Sequence, residues 1–112
     1  IQEGTIQERI LLYFNFYAEY NLDRGLTFVK QLYTGKNNLF AKKNRSMQIV
    51  LKEVIEDAQS KGELSNETSA MEIVEFLFVC VRGLVYDWCL KNGEFDLKEA
   101  TRDFVTKLLK AI

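Results

Sequence analysis

An all-α fold follows from three features of the sequence. There is no proline and there are only six glycines in 112 residues, so turn-rich β structure lacks its usual punctuation. Apolar residues recur at spacings of three and four over long stretches, the period of a helix with a buried face. Two of those stretches end at a glycine, Gly62 and Gly93, as helices commonly do. The length suits one domain over residues 1–112, large enough to bury roughly two thirds of its unfolded surface. About five helices are expected, the last two forming a four-helix bundle with those of a second copy.

The first helix is expected from Thr5 to Tyr20. Ile6, Ile10, Tyr13, Phe14 and Tyr17 form its inner stripe, widened by Leu12, Phe16 and Tyr20. "NLD" reads as a break, with Asp23 as N-cap of a short helix from Arg24 to Tyr33 that turns Phe28, Val29 and Leu32 inward. "TGKNN" is a loop by composition. From Lys43 to Lys61, the residues Met47, Val50, Leu51, Val54, Ile55 and Ala58 mark a strongly amphipathic helix that Gly62 stops. Asn66 is placed to cap a helix from Glu67 to Asn92, and Gly93 to end it. Asp96 with Glu99 reads as the capping pair of the last helix, Leu97 to Ile112. That helix carries Leu97, Thr101, Phe104, Val105, Leu108 and Ile112 on one side.

The helix from Glu67 to Asn92 is apolar over most of its circumference, with only Glu72, Glu75 and Arg82 forming a clear polar strip. Such a helix needs neighbours on several sides. It also carries Gly83 in its interior, at a cost of about 1 kcal/mol relative to alanine. A close helix crossing or room for a ligand would account for it. Two such C-terminal hairpins can pair about a two-fold axis, and Phe78, Val81, Val85, Ala100, Phe104, Val105, Leu108 and Ala111 are the expected dimer residues. The alternative is that the preceding segments cover this surface within one chain.

Several kinds of chemistry are poorly supplied. A net charge of −1 and a pI near 5.5 give no basic face for nucleic acid. The cluster "KKNR", Lys42 to Arg45, reads as a solvated helix start. There is no histidine, the usual base for a serine or cysteine nucleophile, and no CxxC, so neither a metal nor another cofactor is expected. Cys80 and Cys89 lie nine residues apart on opposite faces of one helix, about 13 Å along its axis. They do not pair, which suits a reducing, cytoplasmic compartment. Carboxylate pairs such as Glu53 with Glu56, or Glu56 with Asp57, fall on a solvated face. The longest apolar run, Phe76 to Val81, is too short to span a membrane. A non-enzymatic domain is expected.

Tyrosine is the most suggestive residue type. Tyr13, Phe16, Tyr17 and Tyr20 fall within two turns of the first helix, and a buried tyrosine hydroxyl needs a partner. They read either as a packed core with hydroxyls reaching the surface or as the wall of an apolar pocket for a small molecule. On the second reading the ligand-binding set is Tyr13, Phe16, Tyr17, Tyr20, Met47, Phe76, Cys80, Gly83, Leu84 and Trp88.

The segment "QSKGELSNETSAMEIVEFLFVCVRGLVYDWCLKNGEFDLKEATRDFVTKLL", Gln59 to Leu109, resembles the C-terminal half of TetR/AcrR-family transcriptional regulators. The resemblance rests on the "GEL" turn at Gly62 to Leu64, the mid-helix Gly83, the late Trp88, and the turn from Gly93 to Leu97. It implies the all-helical effector-binding and dimerisation domain of a bacterial regulator, a homodimer joined through its last two helices. It also implies a small apolar or aromatic effector among the preceding helices, and release of operator DNA through an N-terminal helix-turn-helix. No helix-turn-helix pattern occurs in these residues, so DNA would be reached only through a domain preceding Ile1. A ligand-free helical interaction module and a small enzyme using buried tyrosines or carboxylates are the competing expectations.

Overall fold

The computed structural model describes residues 4–34 and 38–112, and the side chains of all of these except 34 and 38–44. The fold is all-α, and no strand occurs among the described residues. The helices are α1 (Ile6–Arg24), α2 (Leu26–Thr34), α3 (Asn38–Ser60), α4 (Ala70–Leu90) and α5 (Leu97–Leu108), followed by a 3-10 turn (Leu109–Ala111). Residues 35–37 of the expected "TGKNN" loop, and the side chains of "KKN" in the basic cluster, lie outside the described residues.

Local chemistry sets each boundary. At the start of α1, the Thr5 hydroxyl accepts from the Glu8 N–H at 3.1 Å, and the Glu8 carboxylate accepts from the Thr5 N–H at 3.0 Å. The helix then runs through "NLD", so Asp23 belongs to the last turn of α1, and α2 begins only at Leu26. Asn21 explains the continuation: it is buried, and its side-chain amide donates to the Tyr17 carbonyl at 2.9 Å, one turn back. The break comes at Gly25, whose φ of +87° is open to glycine and strained for other residues.

The start of α4 also differs from the sequence expectation. It begins at Ala70, capped by Ser69, whose hydroxyl accepts from the Glu72 N–H at 3.2 Å. Residues from Gly62 to Thr68 stay outside the helix. There the Gln59 amide, reaching over from α3, donates to the carbonyls of Ser65 at 3.0 Å and Thr68 at 2.8 Å. Asp96 caps α5 as expected, accepting from the Glu99 N–H at 3.1 Å. Gly62 and Gly93 both have positive φ past their helix ends, and the Gly93 N–H closes α4 by donating to the Trp88 carbonyl at 2.8 Å.

α4 packs against α2, α3 and α5, while α1 packs against α2, α3 and α5. The core between them is continuous. Its largest fully buried side chains include Phe14 and Ile10 of α1, Leu51 and Ile55 of α3, Leu77 and Phe78 of α4, and Leu97 of α5. Among the described residues, no helix is long and apolar enough to cross a membrane.

One ionic contact ties α1 to α3. The buried Arg9 guanidinium lies 3.4 Å from the Asp57 carboxylate, which Lys61 also approaches at 3.1 Å. Lys61, then Arg9, hold the exposed Asp57 carboxyl below its ordinary value of 3.8. The folded chain therefore binds this proton less readily than the unfolded chain. The stabilisation is complete above pH 3.8 and is lost as pH falls through the lower folded value. Acid titration of unfolding should show less loss of stability below pH 3.8 for Asp57→Asn than for the native chain.

Candidate functional site

The centre of the domain is an aromatic cluster built from two helices. Spacings of one, three and four place Tyr13, Phe14 and Tyr17 on the inner face of α1, opposite Phe78 of α4. The Phe14 ring lies 5.3 Å from both Tyr13 and Phe78, and the Tyr17 ring lies 5.5 Å from Phe78. Tyr13 and Phe78 are 6.1 Å apart. Most of these pairs meet edge to face, which sets the positive rim of one ring against the negative face of the next.

The tyrosine hydroxyls reach the flanking helices. Tyr13 donates to the Met47 carbonyl of α3. Tyr33, from α2, and the charge of Arg82 both act on the Tyr17 phenol. The Tyr33 ring then meets Tyr86 of α4 at 6.0 Å, linking the interior to the surface. Burial pushes all three buried phenols, Tyr13, Tyr17 and Tyr33, above their ordinary value of 10.0. At neutral pH they are protonated hydrogen-bonding groups in an apolar setting. Tyr13→Phe should lower unfolding stability by about 1 kcal/mol, the worth of one hydrogen bond, as read by urea denaturation.

The expected ligand-binding residues therefore separate into three places. Tyr13, Tyr17 and Trp88 are in the core, with Met47 half-buried beside Tyr13. Trp88 packs under the turn after α4, beside Gly93 and Leu26. Phe16 points outward from α1, and Tyr20 is half-buried beneath the Arg24 guanidinium, 4.7 Å above its ring. Phe76 and Gly83 lie on the outer face of α4, with Cys80 and Leu84 half-buried along its border. Phe76 also lines an open groove of about 410 Å³ with Leu64, Ile73 and the C-terminal Ala111 and Ile112.

Gly83 makes no close crossing within the chain, since a Cβ built there meets no atom within 4 Å. Of the residues expected at a dimer face, four lie in the protomer's own core. Phe78, Val81, Val85 and Val105 are fully buried inside the protomer, where they form its own core. Ala100, Phe104 and Leu108 are half-buried, while Ala111 faces the groove. The physical reason is that α4 is apolar nearly all round, and α1, α3 and α5 take the side carrying Phe78, Val81 and Val85. What remains outside is a second apolar stripe, Phe76, Val79, Gly83, Tyr86 and Leu90, which spacing alone did not separate from the first. Arg82, whose charge acts on the Tyr17 and Tyr33 phenols, was read only as part of a polar strip.

Among the described residues no group of three histidine, cysteine, aspartate or glutamate side chains is arranged to hold a metal ion. Burial raises the thiol of Cys89. Glu8, Glu19 and Asp57 are shifted downward, each by hydrogen bonds in exposed pairs or caps. Comparison of the chain with family models, with curated proteins and with solved structures gives no match.

Proposed function

We propose that these residues form the regulatory domain of a TetR-like bacterial transcriptional regulator. In this reading the domain binds a small apolar or aromatic effector and pairs with a second copy. Through its conformation it controls an N-terminal DNA-binding domain that lies outside these residues. The observation that carries the reading is the tyrosine-bearing interior. Side chains or carbonyls from α1, α2, α3 and α4 converge on aromatic rings that hold three hydroxyls among apolar walls. Apolar walls with a few fixed polar groups are what orient a small ligand.

The effector acts by binding one arrangement of these helices better than another. Tyr13 and Tyr33 are the coupling points, because each spans two helices. In this reading the domain carries out no reaction; burial raises its inner phenols, and its shifted carboxylates sit in exposed pairs.

Native mass spectrometry of the chain as purified from cells tests the proposal. A dimer with a retained mass of a few hundred daltons (roughly, for a drug-sized ligand) is the expected result. A monomer with nothing retained, even after incubation with aromatic compounds, would overturn it.

A second reading, a ligand-free dimerisation module, is favoured by the close ring packing around Phe14 and Phe78. It expects a bare dimer whose Trp88 fluorescence no aromatic compound changes.

A further inference from the structure

We propose that the groove at the N-terminal end of α4 binds a small organic cation with a flat apolar body. The site lies apart from the tyrosine interior, and the proposal stands whether or not that interior takes an effector.

The groove holds about 410 Å³, within the usual range for a small-molecule site. Its floor is apolar: Leu64 and Ile73 are buried, and Ile112 is half-buried. Phe76 lines it too and is 38% exposed. An aromatic ring left open beside an apolar floor is a surface on which a flat ring can stack. Of the residues expected at a dimer face, only Ala111 lines the groove. The polar lining comes from the turn between α3 and α4 and from the first turn of α4.

That polar lining is fixed in place and carries one sign of charge. Gly62 turns the chain out of α3 with a φ of +77°. The Gln59 amide then holds the carbonyls of Ser65 and Thr68, and the Ser65 hydroxyl accepts from the Glu67 N–H at 3.0 Å. The Ser69 hydroxyl accepts from the Glu72 N–H and donates to the Glu72 carboxylate at 3.3 Å. These bonds hold both acidic residues of the lining, Glu67 and Glu72, at the groove. A site formed in advance loses less freedom when a ligand binds.

The charges select the ligand. Neither Glu67 nor Glu72 makes an ion pair among the described residues. The cations nearest in sequence do not serve them: Asp57 holds Lys61 at 3.1 Å, and Lys110 does not line the groove. An anion would meet two like charges, and a neutral molecule would gain nothing from either carboxylate. A cation is attracted to both, beside apolar walls where the attraction is less screened than in open water. Its flat body then takes the exposed surface of Phe76 and the apolar floor out of water.

Fluorescence titration with three probes sharing one ring system tests the site: pyrenemethylammonium, pyrenemethanol and pyrenesulfonate. The ammonium should bind once per chain, roughly tenfold or more tighter than the other two. Added salt should weaken the ammonium and not the alcohol. The double variant Glu67→Gln, Glu72→Gln should bring the ammonium down to the level of the alcohol, with helical circular dichroism unchanged. Phe76→Ala should weaken ammonium and alcohol alike. Methyl NMR places the probe, and Leu64, Ile73 and Ile112 should shift on titration. Equal affinity for the three probes, or an ammonium affinity unchanged in the double variant, would overturn the site. So would methyl shifts confined to the surroundings of the tyrosine interior, or an ammonium that does not bind.

Discussion

Phe14→Ala is expected to lower the stability of the domain by about 3–5 kcal/mol, the usual cost of truncating a buried phenylalanine. Phe14 is fully buried and sits among Tyr13, Tyr17 and Phe78, with ring centroids 5.3–6.2 Å away. Truncation removes the apolar surface of the ring and leaves a space walled by three other rings. Those rings are fixed from outside, Tyr13 by its bond to Met47 and Tyr17 by the turn it shares with Asn21. They have little freedom to collapse into the gap, which places the cost toward the upper end. A domain of this kind has about 5–15 kcal/mol in total, so the variant should melt roughly 10–20 °C lower. Circular dichroism against temperature, with urea denaturation alongside, measures both quantities. Phe16→Ala is the control, two residues away on the outer side of α1, and should cost under about 1 kcal/mol. Equal losses in the two variants would mean that the inner face of α1 is wrongly assigned.

That contrast also marks how far the fold was legible in the sequence. On α1 and α3, polar residues alternate with the apolar stripe at helical spacing, so Ile10, Phe14, Leu51, Ile55 and Ala58 were readable as core and are buried. Helix stops that depend on backbone conformation were equally clear, because a glycine after an apolar run has few other uses; Gly62 and Gly93 adopt positive φ. Boundaries set by tertiary hydrogen bonds were not readable. The "NLD" segment stays helical because Asn21 is buried against the turn before it, and the "SNET" segment stays out of α4 because Gln59 claims its carbonyls. The candidate site was legible in part for a related reason. Sequence placed Tyr13 and Tyr17 in the interior, yet it grouped Phe16 with them, and it missed Tyr33 and Arg82, which come from other helices. On α4 the pattern fails in a more basic way. A helix with apolar residues on most sides gives no polar reference from which to measure direction, so its inner and outer stripes look alike until neighbours are placed.

Val81→Asp is the substitution that resolves this ambiguity on α4 most sharply. Val81 is fully buried and Val79, two residues before it, is 60% exposed. If Val81 faced a partner, an aspartate there would give a folded monomer. In the structure it faces the protomer's own core, where the carboxylate would sit among apolar atoms. Burying an unpaired charge costs several kcal/mol even after the surroundings relax, and the lost valine side chain adds to that. The sum is comparable with the whole stability of a small domain. Val81→Asp should therefore lose cooperative unfolding and much of its helical circular dichroism at 25 °C. Val79→Asp should keep both, because its carboxylate points into water in the monomer. The pair separates folding from association on opposite faces of a single helical turn. A folded, monomeric Val81→Asp would return Val81 to the dimer face and put α4 in a different rotation, with Phe78 and Val85 turned outward beside it.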